Sequence, residues 1–387
     1  AFACGASGPG GVSLRALARV NVAAIERNVA RLRRDLQGAA ELCAVVKADG
    51  YGHGGAAAAR AALDGGASRI AVATAQEADA LRREGVEARL LIMGAISADE
   101  LPYALNAHAD LVAWDESFVD AAAAAARVRE RPVRVHVKLD TGMGRLGTRD
   151  HGQALAVAER VAEGPALELV GAMTHFATAD EDLEFVFCQL ERFGPFVEAL
   201  RRHYPAITVH AANSAAMLRL PETHFDLVRC GIAIYGCDPM GEDPGLRELE
   251  PALELTSYVA AVKPAQPGDG AGYGRRFVAD EPTRIATVPI GYGDGVRRAC
   301  GGSCELLIGG ARYPLVGAVS MDNVTLDVGL EAAIAPGDRV TLIGSDGDER
   351  QTAEALARRI GTINYEIVCA ISSRVPRQYH RDGEPTR

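Results

Sequence analysis

The stretch Ala44-Val45-Val46-Lys47-Ala48-Asp49-Gly50-Tyr51-Gly52-His53-Gly54 sets a lysine between a β-branched apolar run and a turn with glycine at every second position. Val45 and Val46 suit a buried strand, and the glycines permit the backbone angles of a tight exit, so Lys47 stands at a strand's C-terminal end. A lone lysine at such a place ordinarily snorkels into water. Held against apolar walls it behaves differently: burial disfavours the ammonium form, and the neutral amine can attack a carbonyl to form an imine.

Such chemistry needs further groups on the same rim and a scaffold to hold them there. At 387 residues the chain exceeds the size at which one core stops growing, so two domains are expected. After a helix near Ala23 to Asp35, short β-branched runs alternate with alanine-rich helical stretches. The pattern predicts strands at Leu42 to Val46, Ile70 to Ala73, Leu90 to Met93, Asp110 to Ala113, Val133 to Leu139, Leu169 to Met173, Ile207 to Ala211 and Leu227 to Cys230. Between them it predicts helices such as Gly55 to Leu63, Thr74 to Arg83, Ser117 to Val128, Gln153 to Glu163 and Leu183 to His203. Eight strands alternating with helices point to a (β/α)8 TIM-type barrel, and the absence of G-x-G-x-x-G after the first strand weighs against an open doubly wound sheet.

From about Glu250 the texture changes to short strands, such as Thr256 to Val262, Arg284 to Pro289, Cys304 to Ile308, Val324 to Val328 and Arg339 to Ile343. Turns at Pro267-Gly268, Gly293-Asp294 and Pro336-Gly337 break them, and one helix near Thr352 to Ile360 precedes a terminal basic strand. The expected division is a leader or tag over residues 1–13, a barrel over 14–249 and a smaller, mainly β C-terminal domain over 250–387.

Composition narrows the partners. A formal net charge of −10 without a basic run speaks against nucleic acid. The eight cysteines are scattered, with no C-x-x-C and no histidine cluster at zinc spacing, which reads as reduced thiols in a cytoplasmic protein without a metal. No apolar run reaches the roughly 18 residues of a membrane span.

Barrel enzymes carry their reactive groups at the C-terminal ends of the strands, and the polar residues here fall at those ends. Lys47 ends the first strand. The loop Lys138-Leu139-Asp140-Thr141-Gly142-Met143-Gly144-Arg145-Leu146-Gly147 follows the fifth and carries a guanidinium. His175 follows the sixth, Asn213 and Ser214 the seventh, and Arg229-Cys230-Gly231-Ile232 closes the eighth. Hydroxyls, small residues and backbone N–H groups after strands seven and eight are where barrels commonly bind phosphate. An imine-forming lysine beside a phosphate cradle suggests pyridoxal 5'-phosphate (PLP).

These blocks resemble the alanine racemase family. The resemblance runs from Leu17 to the C-terminus through Val46 to Gly54, Lys138 to Gly147, Thr174 to Glu181, His210 to Ala215, Val228 to Gly236, Pro289 to Gly295, Val319 to Asn323 and Asn364-Tyr365-Glu366. It implies a PLP-dependent enzyme that interconverts L- and D-alanine and supplies D-alanine for cell-wall peptidoglycan. Racemisation removes a proton from one face of Cα and returns one to the other, which one base cannot do alone. The family uses the PLP lysine, here Lys47, on one face and a tyrosine, here Tyr273 in Gly272-Tyr273-Gly274-Arg275, on the other. A free phenol titrates near 10, so a phenolic base working near neutrality needs about 4 kcal/mol of help.

In the family the tyrosine comes from the second subunit, which implies a homodimer with shared sites. By the same likeness His175 contacts Tyr273 and meets Arg229, and Arg229 faces the pyridine nitrogen. An arginine keeps its proton, so that nitrogen stays unprotonated and the cofactor is a weaker electron sink. Arg145 matches the arginine at the cofactor's phenolate oxygen and the substrate carboxylate. Lys138 matches a lysine carbamylated in many relatives, whose added anion would orient Arg145. Tyr51, Ser214, Gly231, Ile232 and Tyr365 match phosphate ligands, with His175 and Asn213 in the cofactor set, and Met321 offers a backbone N–H to the substrate carboxylate. One departure is Ala318, where the family usually has arginine; its loss is expected to loosen the loop behind Met321.

His136 and His210 lie within strands and read as packed or surface histidines. Gly291 to Gly295 reads equally as a plain turn or as part of a substrate entrance, and so does Asp322. Two other activities fit parts of the pattern. A broad-specificity or serine racemase would differ in pocket width. A PLP-dependent decarboxylase would be expected to hold an acid in place of Arg229 and a cysteine near the second face. A PLP homeostasis protein shares the barrel and lysine but lacks a second domain.

Overall fold

A computed structural model describes residues 14–127 and 131–386. The expected leader at residues 1–13 lies outside them, as does Val128 at the end of one predicted helix. The chain divides into two compact units, Ile25–Ile234 and the segment ending at Ala24 together with the chain from Tyr235 on.

The N-terminal strand is β1 (Leu17–Asn21), and the unit Ile25–Ile234 then contributes β2 (Glu41–Val45), β3 (Arg69–Val72), β4 (Arg89–Ile92), β5 (Ala109–Ala113), β6 (Val133–Lys138), β7 (Leu167–Met173), β8 (Thr208–His210) and β9 (Leu227–Cys230). Strands β2 to β9 are the eight predicted from the sequence. All pair in parallel, in the order β8-β7-β6-β5-β4-β3-β2-β9. Asp226 N–H to Val209 O and Arg229 N–H to Ala212 O, each 3.0 Å, span the seam between β8 and β9, so the barrel is nearly closed. Every residue of β5 is buried, as expected of a parallel strand covered on both faces.

The intervening helices start where short polar side chains accept the first free N–H groups. Thr74, Asp115, Asp150 and Asp182 cap the helices Ala75–Arg83, Glu116–Ala126, His151–Glu163 and Leu183–His203. The last of these has the predicted bounds.

In the other unit, β1 lies between β10 (Leu253–Tyr258), antiparallel to it, and the late strand Arg377–Arg381, parallel to it. The sequence reading placed no strand there and drew residues 14–24 with the barrel. The five residues are too few for a clear period, and their partners come from more than 200 positions away. The rest of this 11-stranded sheet includes Ala261–Ala265, Thr283–Val288, Glu305–Ile308, Ala311–Val316, Val324–Asp327 and Arg339–Asp346. Ala311–Val316 escaped prediction because Pro314 interrupts it. The helix Asn364–Cys369 escaped for its brevity.

Among the described residues no helix is long and apolar enough to cross a membrane, no group of acidic, histidine or cysteine side chains is arranged to hold a metal ion, and the cysteines are free.

Candidate active site

Lys47 lies two residues beyond β2, directly after Val46, whose N–H extends the ladder to Ala71 O at 2.8 Å. The chain then makes a left-handed turn, with φ of 51° at Ala48, 53° at Asp49, 62° at Gly50 and 52° at Tyr51. The glycines were expected to do the turning, yet three of these four residues are not glycine. A left-handed conformation costs an L-residue roughly 1–2 kcal/mol, so the neighbours must hold the turn. They do: Gly55 N–H donates to Asp49 Oδ1 at 2.8 Å, Ala48 N–H donates to a Glu77 oxygen at 2.6 Å, and His53 Nδ1 binds the carbonyls of Gly50 and Tyr51.

The turn carries Tyr51 back so that Lys47 Nζ lies 6.0 Å from the centre of its ring. The phenol rests on Gly231, where a Cβ would come within 2.3 Å of its Oη, so any side chain there would displace the phenol. Gly231 N–H donates to Ser214 Oγ at 3.0 Å, and Ile232 is fully buried beside it. Asn213 Oδ1 accepts the Ala216 N–H at 3.0 Å, so its side chain caps the helix Ser214–Arg219 and fixes Ser214. Two hydroxyls and the Gly231 backbone are thus gathered at the strand ends as the sequence suggested.

Arg229 is buried among the barrel strands. Its Nη2 donates to Thr174 O, Ala211 O and His175 Nδ1 at 3.0, 2.9 and 3.0 Å, and its Nη1 to His210 Nδ1 at 2.9 Å. Arginine has no acceptor, so both histidines accept at Nδ1 and, when neutral, carry their proton at Nε2. Burial, and after it the charge of Arg229, holds both well below the ordinary histidine range. His210 Nε2–H then donates to His136 Nδ1 at 2.8 Å, and His136 Nε2 faces Asp110 at 3.5 Å. Asp110 in turn pairs with Arg89 and Arg134 at 2.7 and 2.6 Å.

His136 and His210, read from sequence as packed or surface histidines, are packed, and they also brace Arg229. Strand periodicity held the signal: His136 shares a face with Lys138, two residues on. Gly171 makes room for it, since a Cβ there would lie 1.8 Å from His136 Nδ1.

After β6, Asp140 organises its loop by accepting the N–H groups of Gly142 and Gly144 at 3.1 and 3.0 Å and pairing with Arg149. Buried Gln189, unnoticed in the sequence, donates to Thr141 Oγ1 and His175 O at 3.0 and 3.1 Å and accepts Ala177 N–H at 2.9 Å. The helical period held a signal, since Gln189 falls on the buried stripe of Val186, Phe193, Phe196 and Leu200.

After burial, the charges that lower His175 most are those of Arg229, Lys138, Arg145 and Lys47. A site of this kind favours an anionic occupant. The residues therefore fit a cofactor bearing a phosphate and an aldehyde and a substrate bearing a carboxylate.

In the second unit, Gly272 adopts φ 72° and a Cβ there would press to 3.1 Å from Ala318 N, which backs the turn carrying Tyr273. Tyr292 N–H and Gly293 N–H donate to Ser320 O and Met321 O at 3.0 and 2.9 Å, so Gly291 to Gly295 buttresses the Met321 loop. Asp294 closes it by accepting Gly291 N–H at 2.9 Å. Tyr273 and Met321 are 75% and 52% exposed, while Tyr365 is half-buried on the helix Asn364–Cys369.

Sequence profiles of the alanine racemase N-terminal domain and C-terminal domain match residues 20–239 and 252–379. The chain belongs to the alanine racemase family. It is an isomerase of alanine, and the family depends on PLP. It is 40% identical to the alanine racemase of Halalkalibacterium halodurans over 94% of this chain and 95% of that one. With the alanine racemase of Frankia casuarinae it shares 41% identity over 97% and 98%. The crystal structure of alanine racemase from Bacillus anthracis with bound L-Ala-P superposes with a TM-score of 0.89 at 36% identity, covering 96% and 97%.

One pH dependence of this racemase family member follows directly. Burial, followed by the charges of Arg229 and Arg145, lowers the Lys138 amine to about 8. Below that pH both folded and unfolded chains hold the proton. Between about 8 and 10.5 only the unfolded chain does, so stability rises with pH across that window, by about 3 kcal/mol at most. Urea unfolding of wild type and Lys138→Met from about pH 7 to about pH 10 is expected to show the wild type gaining on the variant. Parallel curves would rule out a depressed amine at Lys138.

Proposed function

We propose that the enzyme racemises alanine with PLP by a two-base mechanism, Lys47 serving one face of Cα and Tyr273 of a second copy the other. The observation carrying this reading is that buried Arg229 donates to His175 Nδ1 at the strand ends while Lys47 stands 6.0 Å from the ring of Tyr51, whose phenol rests on Gly231 beside Ser214. Tyr51, Ser214, Gly231 and Ile232 would hold the phosphate, with Tyr365 completing the set and Asn213 fixing Ser214. Arg229 would meet the pyridine nitrogen. When bound, PLP supplies a conjugated sink for the electrons left at Cα once its proton departs.

The other steps belong to the chain. Lys47 takes or returns the proton on its face as a free amine. His175 accepts from Arg229 at Nδ1, so its Nε2–H is the group available to the phenolate oxygen of Tyr273, and a donor there favours the ionised phenol. Arg145 and the backbone N–H of Met321 hold the substrate carboxylate. Lys138, whose lowered pKa leaves much of it neutral near pH 8, is open to carbamylation, and the resulting anion would orient Arg145.

Exposure of Tyr273, a residue assigned to catalysis, supports a dimer in which each copy lends its tyrosine to the other. The cysteines among the described residues, free and mostly buried, support a cytoplasmic location, where D-alanine is made for peptidoglycan.

Incubating the purified protein with PLP and each of a set of L-amino acids, with chiral separation of the products, tests the reading. D-alanine is expected as the main product. Comparable turnover of serine or basic amino acids would make it a broad-specificity or serine racemase, and loss of carbon dioxide a decarboxylase. Arg229, where a decarboxylase is expected to hold an acid, speaks against the last.

A further inference from the structure

We infer that Glu77 is a positioning residue for Lys47, its carboxylate fixing the left-handed turn that sets the lysine amine relative to the Tyr51 phenol. The inference rests on the reading of Lys47 as the PLP lysine. One Glu77 oxygen does an ordinary helix-capping task, accepting the N–H groups of Ala73 and Thr74 at 2.8 and 3.2 Å while Thr74 Oγ1 accepts Glu77 N–H at 3.1 Å. The other reaches 29 residues back in sequence to the Ala48 N–H at 2.6 Å. Ala48 directly follows Lys47 and is the first residue with positive φ. Its N–H is taken by Glu77, so the carboxylate ties the turn to Ala73 and Thr74, the residues that follow β3. A helix cap needs only one of those oxygens. The second gives the three donors a single rigid acceptor and opposes the tendency of Ala48, Asp49 and Tyr51 to fall back into the right-handed region.

The test titrates apoenzyme with PLP and follows the absorption band and its borohydride-reducible fraction in wild type, Glu77→Ala, Glu77→Gln and Thr74→Ala. Thr74→Ala weakens the same helix cap without touching Ala48. Glu77→Ala is expected to weaken PLP binding and lower the reducible fraction about tenfold, the scale of one lost charged hydrogen bond, while Thr74→Ala leaves both near wild type. Glu77→Gln, with one oxygen for two tasks, is expected to fall between, and it carries the test should the alanine variant fail to fold. In a Lys47→Ala background the Glu77 substitutions are expected to alter PLP affinity less than about twofold.

Equal losses in both backgrounds, a Thr74→Ala loss as large as that of Glu77→Ala, or wild-type behaviour of Glu77→Gln would each overturn the inference. A wild-type protein with no Lys47-dependent band would overturn the PLP reading itself and the inference with it.

Discussion

Lys47→Ala is expected to remove racemisation almost entirely, by about 10⁴-fold or more, and to remove the borohydride-reducible band above 400 nm while leaving PLP able to bind. Two losses coincide in this variant, because the amine proposed to anchor the cofactor is also the proposed base for one face of Cα. The residues proposed to hold the phosphate do not depend on it. Tyr51 sits on Gly231 and Ser214 accepts the Gly231 N–H, and neither contact passes through the lysine side chain. Weak, reversible PLP binding without a reducible bond is therefore the signature. A reducible band that persists in Lys47→Ala would place the anchoring amine elsewhere.

Tyr273→Phe should cost about 10² to 10⁴ in rate while leaving the band in place, since the phenol is assigned a proton and no contact with the cofactor's anchor. The lost step should be proton removal from L-alanine, the side the family assigns to tyrosine. Undiminished solvent-deuterium exchange at Cα of L-alanine would sink the two-base scheme.

Mixing the two dead variants tests where the tyrosine comes from. In a mixed dimer, the site using Lys47 of the Tyr273→Phe chain receives its tyrosine from the Lys47→Ala chain and is whole; the other site carries both lesions. Equal amounts reassorted at random give about half mixed dimers with one good site of two, hence about a quarter of wild-type activity when sites act independently. The exposure of Tyr273 agrees with this arrangement. Mixed dimers no more active than their parents would mean that both bases belong to one chain.

Local sequence was enough for the barrel. The parallel strands are mostly buried and read as short apolar runs, and the longer helices display their period. The order of polar residues at the strand ends follows from that alternation, which is why the chain alone sets Lys47, Lys138, His175, Ser214 and Arg229 on one rim. The family blocks then named Tyr273 and Met321, which no periodicity distinguishes.

Which residues stand at which strand ends is thus legible in the local chain. How those residues are held is not, since the holding groups act across long stretches of chain. Glu77 meets Ala48 and Gln189 meets Thr141, and His210 and His136 pass Arg229's hydrogen bond on toward Asp110. The left-handed turn at Ala48 to Tyr51 was equally invisible, because three of its residues prefer the right-handed region when alone. The place of β1 in the C-terminal sheet depended on partners more than 200 residues away, and a five-residue strand cannot advertise partners that only folding brings to it.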